Sequence, residues 1–313
     1  MPSLKLAAIA FAVVTLTAMA ACQEAPARPP REFDGARAFE YASQQVAFGP
    51  RIPNTEGHRR EAAWLDSLLR ARADTLIVQS WTHVTGKGDS LALTNFIARF
   101  RPAATERVLF LAHWDTRPYS DGPNAKQKNV PVPGANDGAS GVAVLLGVAD
   151  ALKRTPPTIG VDLLFVDGED YADFGDQAND VLIGSRYYGT HQVPGAKPDY
   201  AVLFDMVGDR DLRIAPEGNS VIAAPEIMTM IWNTARLVGH DSVFVEGQGT
   251  SLTDDHLELQ KAGIRAVDVV DFEYPYWHTG DDTLDKISAA SLGVVGDVAM
   301  ALVRAGGGKA EGR

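Results

Sequence analysis

Apolar residues recur at helical spacing in two segments near the beginning of the chain. Segments 36–47 and 58–71 each place apolar residues along one side of a helix, and the turn-rich stretch FGPRIPNTEG at 48–57 separates them. In the second segment the apolar stripe consists of Ala62, Leu65, Leu68 and Leu69. The pattern predicts two amphipathic helices that pack on a core.

Short apolar runs with the β-branched content of strands follow these helices. Segments 74–82 and 90–99, on either side of Gly-Lys-Gly, predict an antiparallel pair. Four later runs have the continuous apolar character of strands buried on both faces: 108–112, 161–166, 200–204 and 266–270. Helical patterns occupy 140–153, 180–191, 225–238, 255–262 and 288–303. This alternation predicts an α/β fold with a single domain, in which helices cover both faces of a mixed, mostly parallel central sheet.

Composition favours one catalytic domain. The chain has 313 residues, of which 45% are hydrophobic, and this suffices for one large core. Neither a linker nor an internal repeat divides it, so we expect a single domain at 34–305 and a monomer. A formal net charge of −11, without any basic run, argues against a nucleic-acid partner.

The first residues have a pattern that is typical of exported bacterial proteins. Lys5 precedes an apolar run that ends at Cys22, so 1–22 is interpreted as an export signal with a lipobox-like site. Cys22 is the only cysteine and cannot form a disulfide within the chain. We expect an exported protein, either periplasmic or a lipoprotein whose sole membrane attachment is lipid on Cys22. Ordinary secretion is the alternative, because the usual Leu before the cysteine is missing. A flexible tether at 23–33 and a disordered tail at 306–313 complete the expected organisation.

Acidic residues and histidines stand where the predicted strands end. The set consists of HWD at 113–115, ND at 136–137, GED at 168–170, YWHT at 276–279 and Asp205. Taken singly, each motif also has a structural explanation, such as turn formation or a polar strand exit. Because parallel strands end at one edge of a sheet, where α/β enzymes place their ligands, we expect these side chains to converge.

The set contains suitable ligands for a zinc ion. Asp137, Asp170 and His278 would supply two carboxylates and one imidazole, and would leave a fourth position for substrate or water. Glu169 is next to a predicted ligand but would point elsewhere, which is the usual place of a general base.

Two neighbouring segments are expected to support this site. The loop at 117–134 is rich in Pro and Gly, and loops of that length beside a site are usually functional. Asp281 and Asp282 follow His278. They either orient the imidazole of His278 through its other nitrogen or cap the turn.

Seven motifs make the chain resemble the clan of zinc aminopeptidases and glutaminyl-peptide cyclotransferases. They are AHWDT, GANDGASGVAVLL, LLFVDGED, LIGSRYYG, VLFDMVGD, DDHLELQKAGI and YWHTGDDTLDKI. The resemblance covers roughly 36–305. It implies an α/β zinc enzyme that acts on peptides or proteins with a free N-terminus.

In the aminopeptidase branch, the resemblance implies two zinc ions that share a bridging aspartate. The implied ligands are His113, Asp137 and Asp205 for one ion and Asp137, Asp170 and His278 for the other. Glu169 would then activate a water molecule for attack on a peptide carbonyl.

In the cyclotransferase branch, it implies one zinc ion and no attacking water. The implied ligands are Asp137, Asp170 and His278. The α-amine of an N-terminal glutamine attacks its own side-chain amide, which zinc polarises, and ammonia leaves. Glu169 would carry the proton, Asp205 and Asp254 would form a hydrogen-bonded acidic network, and Trp277 would line the substrate pocket. His113 would either stay beside the site without binding metal or act as a ligand.

Local motifs favour the cyclotransferase branch. Trp-His-Thr at 277–279 and the paired aspartates at 254–255 match cyclotransferases, whereas aminopeptidases usually carry other residues there. Several residues depart from the cyclotransferase pattern. Thr253 replaces a Gln, Asp170 replaces a Glu ligand, and Phe174 is the nearest aromatic where animal enzymes carry a Trp.

The sequence therefore predicts a glutaminyl-peptide cyclotransferase that converts N-terminal glutamine to pyroglutamate and releases ammonia. One zinc ion is expected as cofactor. The alternative is a di-zinc aminopeptidase that hydrolyses N-terminal residues from peptides. A non-catalytic binding module is disfavoured because Glu169 and every candidate ligand are present.

Overall fold

A computed structural model of the chain describes residues 31–172, 174 and 179–306. The predicted export signal, residues 23–30 of the predicted tether and the predicted tail from 307 onward lie outside the described residues. Within the described ranges, no helix has both the length and the apolar character needed to cross a bilayer.

The described residues form a six-stranded sheet. Its strands are β1 (Thr75–Val84), β2 (Ser90–Phe100), β3 (Arg107–His113), β4 (Gly160–Val166), β5 (Tyr200–Asp205) and β6 (Ala266–Val270). The order across the sheet is β1-β2-β4-β3-β5-β6. β2 is antiparallel to both β1 and β4, whereas β4, β3, β5 and β6 run parallel to one another. The mixed, mostly parallel sheet predicted from the sequence is confirmed.

Helices connect most of these strands. In the described part of the chain they are α1 (Gly35–Ala47), α2 (Glu56–Arg72), α3 (Ala139–Arg154), α4 (Ile183–Thr190), α5 (Gly218–Ala223), α6 (Pro225–Leu237), α7 (Asp255–Lys261) and α8 (Ala289–Arg304), with a 3₁₀ helix at Leu284–Lys286. Side chains that accept backbone hydrogen bonds define several helix starts. Asp34 caps α1, Thr55 caps α2 and Ser288 caps α8.

Helix α4 begins later than the predicted segment 180–191. Leu182 has a left-handed backbone (φ 53°), which ends any helix that approaches from its N-terminal side. Asp180 instead accepts hydrogen bonds from the ring of His83 and the backbone N–H of Gly86. The polar residue at the start of the predicted helix thus tethers the loop to the end of β1.

The core lies on both faces of the sheet, as the continuous apolar strands predict. On β3, Val108 and Phe110 belong to the large cluster that contains residues of α1, α3, α6 and α8. Leu109 and Leu111 belong to the second cluster, which includes Tyr188 of α4 and Leu259 of α7. Full burial of each such side chain contributes about 1.5–3 kcal/mol, which explains why these strands carry few polar residues.

The parallel strands present their carboxyl ends at one edge of the sheet, and helix α3 begins there. The start of α3 lies so close to β5 that a Cβ atom on Gly141 would be 2.1 Å from the carbonyl oxygen of Phe204. Glycine at this position therefore permits an approach that brings Asp137, just before α3, towards the end of β5.

Candidate metal centre

Five of the predicted site residues form two groups of potential metal ligands at this edge of the sheet. The groups are His113, Asp137 and Asp205, and Asp137, Asp170 and His278. In each group the potential donor atoms all lie within 4.8 Å of one another, and every member is buried. The structure thus brings together all the residues that sequence analysis proposed as ligands, and their role as ligands remains a prediction.

Asp137 belongs to both ligand groups because its two carboxylate oxygens face different histidines. Its Oδ1 lies 3.1 Å from Nε2 of His113, which is also 3.3 Å from Oδ1 of Asp205. Its Oδ2 lies 3.7 Å from Nε2 of His278, which is 3.2 Å from Oδ1 of Asp170. A carboxylate in this orientation can serve one ion or bridge two.

The residues of the second group fit a zinc ion. Oδ2 of Asp137 and Oδ2 of Asp170 are buried and have no hydrogen-bond partner among the described residues. An unsatisfied buried carboxylate oxygen is costly, and a divalent cation would compensate both oxygens at once. Two carboxylates and one imidazole are also the donors that catalytic zinc sites use.

The acidic residues around His278 change the pKa of its ring. Burial alone would lower its pKa, but the charge of Asp170 and hydrogen bonds with Asp121 and Asp170 raise the pKa of His278 to about 9. A bound cation would replace the proton on Nε2. The backbone of His278 is also left-handed (φ 53°), a conformation that a non-glycine residue holds only where its surroundings enforce it.

Asp121 and Arg117 support this side of the site, and sequence analysis assigned neither of them a role. Oδ1 of Asp121 lies 3.1 Å from Nδ1 of His278. The guanidinium group of Arg117 holds Asp121 on one side, and its NH1 lies 2.7 Å from Oδ1 of Asp170 on the other. Arg117 thereby links the predicted ligand Asp170 to Asp121, the carboxylate beside the predicted ligand His278. The only sequence signal for this arrangement was the location of both residues in or beside the loop flagged at 117–134.

Of the two alternatives for Asp281 and Asp282, orientation of the imidazole is wrong. Asp281 forms an exposed ion pair with Lys126 (2.6 Å). Asp282 accepts the backbone N–H groups of Asn136 and Asp137, and its Oδ1 also accepts the hydroxyl of Tyr274. Asp282 therefore fixes the turn that carries Asp137, while Asp121 takes the position beside the imidazole.

Replacing Asp121 with alanine is expected to weaken zinc binding about tenfold to a hundredfold, because the His278 ring loses the partner that orients it. Competition with a chromogenic chelator measures the affinity directly. Asp121→Asn retains an oxygen acceptor and should restore part of it, whereas Asp281→Ala serves as the matched control. Wild-type affinity in Asp121→Ala would exclude the positioning role.

Glu169 follows β4 and lies beside the two groups without belonging to either. Asp115 accepts the backbone N–H groups of both Glu169 and Asp170 (3.1 Å each), which fixes the turn that carries them. Oε2 of Glu169 lies 3.7 Å from Nδ1 of His113. Burial, followed by the charge of Asp170, raises the pKa of Glu169, and a cation held by Asp170 would act in the opposite direction.

Asp167, the other acidic residue at this strand end, has a structural role. Its carboxylate lies 2.9 Å from Nε2 of His58 and accepts the backbone N–H of Thr94. It therefore ties β4 to α2 and β2, and it belongs to neither of the two ligand groups.

Asp205 ends β5, and Asp254 caps the start of α7 by accepting the backbone N–H of Asp255 (2.6 Å). Both are buried. Burial, followed by the negative charges of Asp205 and Asp255, raises the pKa of Asp254. A raised pKa favours the protonated form of the carboxyl group, and that form can donate a hydrogen bond within an acidic network.

A cavity of about 290 Å³ opens onto these groups. Its lining includes six of the predicted site residues: Asp137, Glu169, Asp205, Asp254, Trp277 and His278. The indole of Trp277 stacks on the His278 ring with centroids 3.9 Å apart, and it meets Phe272 edge to face. The loop at 117–134 packs closely against the backbone of Trp277. A Cβ atom on Gly122 would lie 2.1 Å from the carbonyl oxygen of Trp277.

The solved structures to which this chain is similar include a glutaminyl cyclase and two proteins described as peptidases. The chain is 33% identical to a Bacteroides thetaiotaomicron glutaminyl cyclase bound to N-acetylhistamine, covering 88% of this chain and 99% of that one with a TM-score of 0.83. It is also 33% identical to a leucine aminopeptidase precursor from Bacteroides thetaiotaomicron, at 88% and 98% coverage and a TM-score of 0.84. A Zn-dependent exopeptidase from Parabacteroides distasonis is 32% identical, at 89% and 99% coverage and a TM-score of 0.82. The resemblance to this clan of zinc enzymes is thereby confirmed.

Curated relatives are more distant and longer. Aminopeptidase YwaD from Bacillus subtilis is 24% identical over 294 residues, and the match covers 87% of this chain but 57% of that protein. The chain thus spans little more than half the length of this relative. The family model described as Peptidase family M28 matches residues 95–303, a segment that contains every predicted ligand. Both candidate ligand groups lie within that segment, and the chain belongs to peptidase family M28, a zinc-dependent family.

Proposed function

We propose that this protein is a glutaminyl-peptide cyclotransferase, which converts N-terminal glutamine to pyroglutamate and releases ammonia. The observation that carries the proposal is the composition of the 290 Å³ cavity. Glu169, Asp205 and Asp254 line it together with the indole of Trp277. Its volume lies just below the range of about 300–1,000 Å³ for ligand pockets, which suits a ligand group as small as one amino-acid residue. Similarity to the Bacteroides glutaminyl cyclase over almost its whole length supports this assignment.

In the proposed reaction, Asp137, Asp170 and His278 would hold one zinc ion. When bound, zinc supplies a Lewis acid that polarises the side-chain amide carbonyl of the substrate glutamine. The neutral α-amine attacks the amide carbon, and the bond between that carbon and the amide nitrogen breaks. Glu169 accepts a proton from the attacking nitrogen and returns it to the departing one, so that ammonia leaves and the carboxylate is regenerated.

Asp205, Asp254 and Trp277 would position the substrate for this internal attack. The two aspartates would offer hydrogen-bond acceptors for the N–H groups of the α-amine, which leaves its lone pair free for attack. The raised pKa of Asp254 also favours a protonated form that can donate to a neighbouring carboxylate. Trp277 forms an apolar wall over His278 and excludes water from one side of the amide. Because nucleophile and amide belong to one residue, holding that residue in a bent conformation provides much of the rate enhancement.

A di-zinc aminopeptidase is the second candidate, and the first ligand group favours it. Nε2 of His113 lies within 3.3 Å of oxygens of both Asp137 and Asp205, as a second ion would require. In this function Asp205 would be a ligand and Glu169 would activate water. The similarity to the leucine aminopeptidase precursor supports this alternative.

The deciding experiment compares two peptides that differ only in their first residue. Purified, zinc-loaded protein is incubated with a Gln-initiated and a Leu-initiated peptide, and both are followed by mass spectrometry. Loss of ammonia from the first peptide with the second unchanged supports the cyclotransferase. Release of free leucine identifies an aminopeptidase, and an N-acetylated Gln peptide serves as the unreactive control for both.

Replacing His113 with alanine is expected to leave the zinc content at one ion per chain, because His113 is outside the group formed by Asp137, Asp170 and His278. Metal analysis by atomic emission after gel filtration measures the stoichiometry. His58→Ala removes a buried histidine that pairs with Asp167 and is the matched control. A wild-type content of two ions that falls to one in His113→Ala would favour the aminopeptidase.

The proposal extends to substrates and cellular location. We propose that the enzyme acts as a monomer on peptides and proteins with a free N-terminal glutamine. The N-terminal segment 1–22 supports action outside the cytoplasm, in the periplasm or from a lipid anchor on Cys22. Radiolabelled palmitate should label the wild-type chain in its bacterial host, and Cys22→Ser should remove the label.

A further inference from the structure

A second cavity adjoins the predicted catalytic cavity. Its volume is about 380 Å³, and four residues line both cavities: Thr250, Leu252, Val270 and Phe272. Phe272, 37% exposed, contacts Trp277 edge to face, with ring centroids 5.1 Å apart. The two cavities therefore share a wall that is mostly apolar. We call the two cavities together the groove and the second one the outer compartment.

Carboxylates predominate among the charged groups of the outer compartment. Glu217, Glu246 and Glu273 line it, together with a single guanidinium group from Arg213. Arg213 pairs with Glu273 at 2.9 Å, and this pair is largely exposed. Glu246 is 87% exposed at its side chain and pairs with Arg236 at 3.3 Å. The residues that line the compartment thus supply three carboxylates and one guanidinium group, and the partner of Glu246, Arg236, is not among them.

Glu217 adds a fixed negative charge at the inner end of the compartment. Burial alone would raise its pKa, but hydrogen bonds from His256 and Ser220 and from backbone N–H groups lower the pKa of Glu217 to about 2. One of those N–H groups belongs to Leu252, on the shared wall. Glu217 is therefore ionised at neutral pH and also holds the wall in place.

We propose that the outer compartment binds the second and third residues of the peptide substrate and favours a basic side chain there. The inference rests on the proposed function, in which the catalytic cavity takes the first residue. A peptide whose first residue is enclosed must continue through an opening, and each extended residue advances by about 3.3–3.6 Å. The shared wall of Thr250, Leu252 and Phe272 leads directly to the carboxylates, so their complement is a lysine or arginine.

The expected size of the preference for lysine follows from the free energy that exposed charge pairs contribute to binding. Each contributes little, so two carboxylates at the rim should give about a threefold to tenfold advantage for lysine over glutamate at low salt. At about 1 M salt the Debye length is about 3 Å, and most of the preference should disappear. A preference produced by shape alone would persist at high salt.

The test compares the tetrapeptides Gln-Lys-Ala-Ala, Gln-Glu-Ala-Ala, Gln-Ala-Lys-Ala and Gln-Ala-Glu-Ala. For each, kcat/KM is measured with the wild-type enzyme, and Kd is measured by calorimetry with zinc-loaded Glu169→Gln. Lysine peptides should bind more tightly than glutamate peptides at one or both positions. The double variant Glu246→Gln/Glu273→Gln should abolish the ratio, whereas Glu226→Gln, which removes an exposed partner of Arg265 outside the groove, should retain it.

Equal affinities for lysine and glutamate peptides, or a ratio unchanged in the double variant, would overturn the inference. The product separates this failure from failure of the proposed function. If free glutamine appears instead of ammonia, the cyclotransferase assignment is wrong, yet the affinity ratio still tests the groove. If ammonia appears and the ratio is absent, only the outer compartment has been misassigned.

Discussion

Turnover of a Gln-initiated peptide is expected to fall about 10²- to 10⁴-fold when Glu169 is replaced with glutamine, while the zinc content stays unchanged. Glu169 lines the catalytic cavity and belongs to neither ligand group. The amide has nearly the same shape as the carboxylate but cannot accept a proton from the α-amine. The variant should therefore bind substrate and metal and fail at proton transfer.

Two measurements make this prediction specific. Zinc is quantified by atomic emission, and kcat and KM are determined separately, because a proton carrier should affect kcat far more than KM. Glu56→Gln, an exposed residue of α2, provides the matched control for the chemical change. Recovery of zinc-free protein from Glu169→Gln would show that Glu169 is a ligand, and a kcat near that of wild type would show that another group moves the proton.

Replacing Asp137 with alanine is expected to abolish zinc binding and activity together, because Asp137 belongs to both ligand groups. Whether the site holds one zinc ion or two, each ion would lose a carboxylate ligand. The same substitution also removes one negative charge from a buried cluster of carboxylates. The metal-free variant should therefore be no less stable to heat than the metal-free wild type.

Thermal unfolding with and without zinc tests both statements. Zinc at a hundred times its Kd stabilises a binding protein by about 2.7 kcal/mol, which raises the Tm of a chain of this size by about 4–5 °C. Wild type should show that shift and Asp137→Ala should not. Asp281→Ala, which removes an exposed carboxylate paired with Lys126, is the control that keeps the shift. A zinc-dependent shift in Asp137→Ala would place the metal elsewhere.

The sequence by itself determined the buried strands of the sheet and the sheet edge at which the candidate site residues lie. Continuous apolar runs predicted β3, β4, β5 and β6, because strands buried on both faces cannot carry polar residues without a cost. Since parallel strands end at one edge, residues such as Asp170 and Asp205 could be expected to meet there. The short helix α5 and the 3₁₀ helix escaped prediction, because so few residues contain no complete apolar period.

Only the tertiary structure decided which polar side chains contact one another around the site. Asp121, rather than Asp281 or Asp282, lies against His278, and Arg117 joins Asp121 to Asp170. The outer compartment likewise forms from segments that are distant in the chain. The spacing of apolar residues indicates which face of a helix or strand is buried, and a local motif indicates which chemical groups lie within a few residues of one another. Contacts between loops depend on how the whole core positions them, and no local pattern in the sequence carries that information.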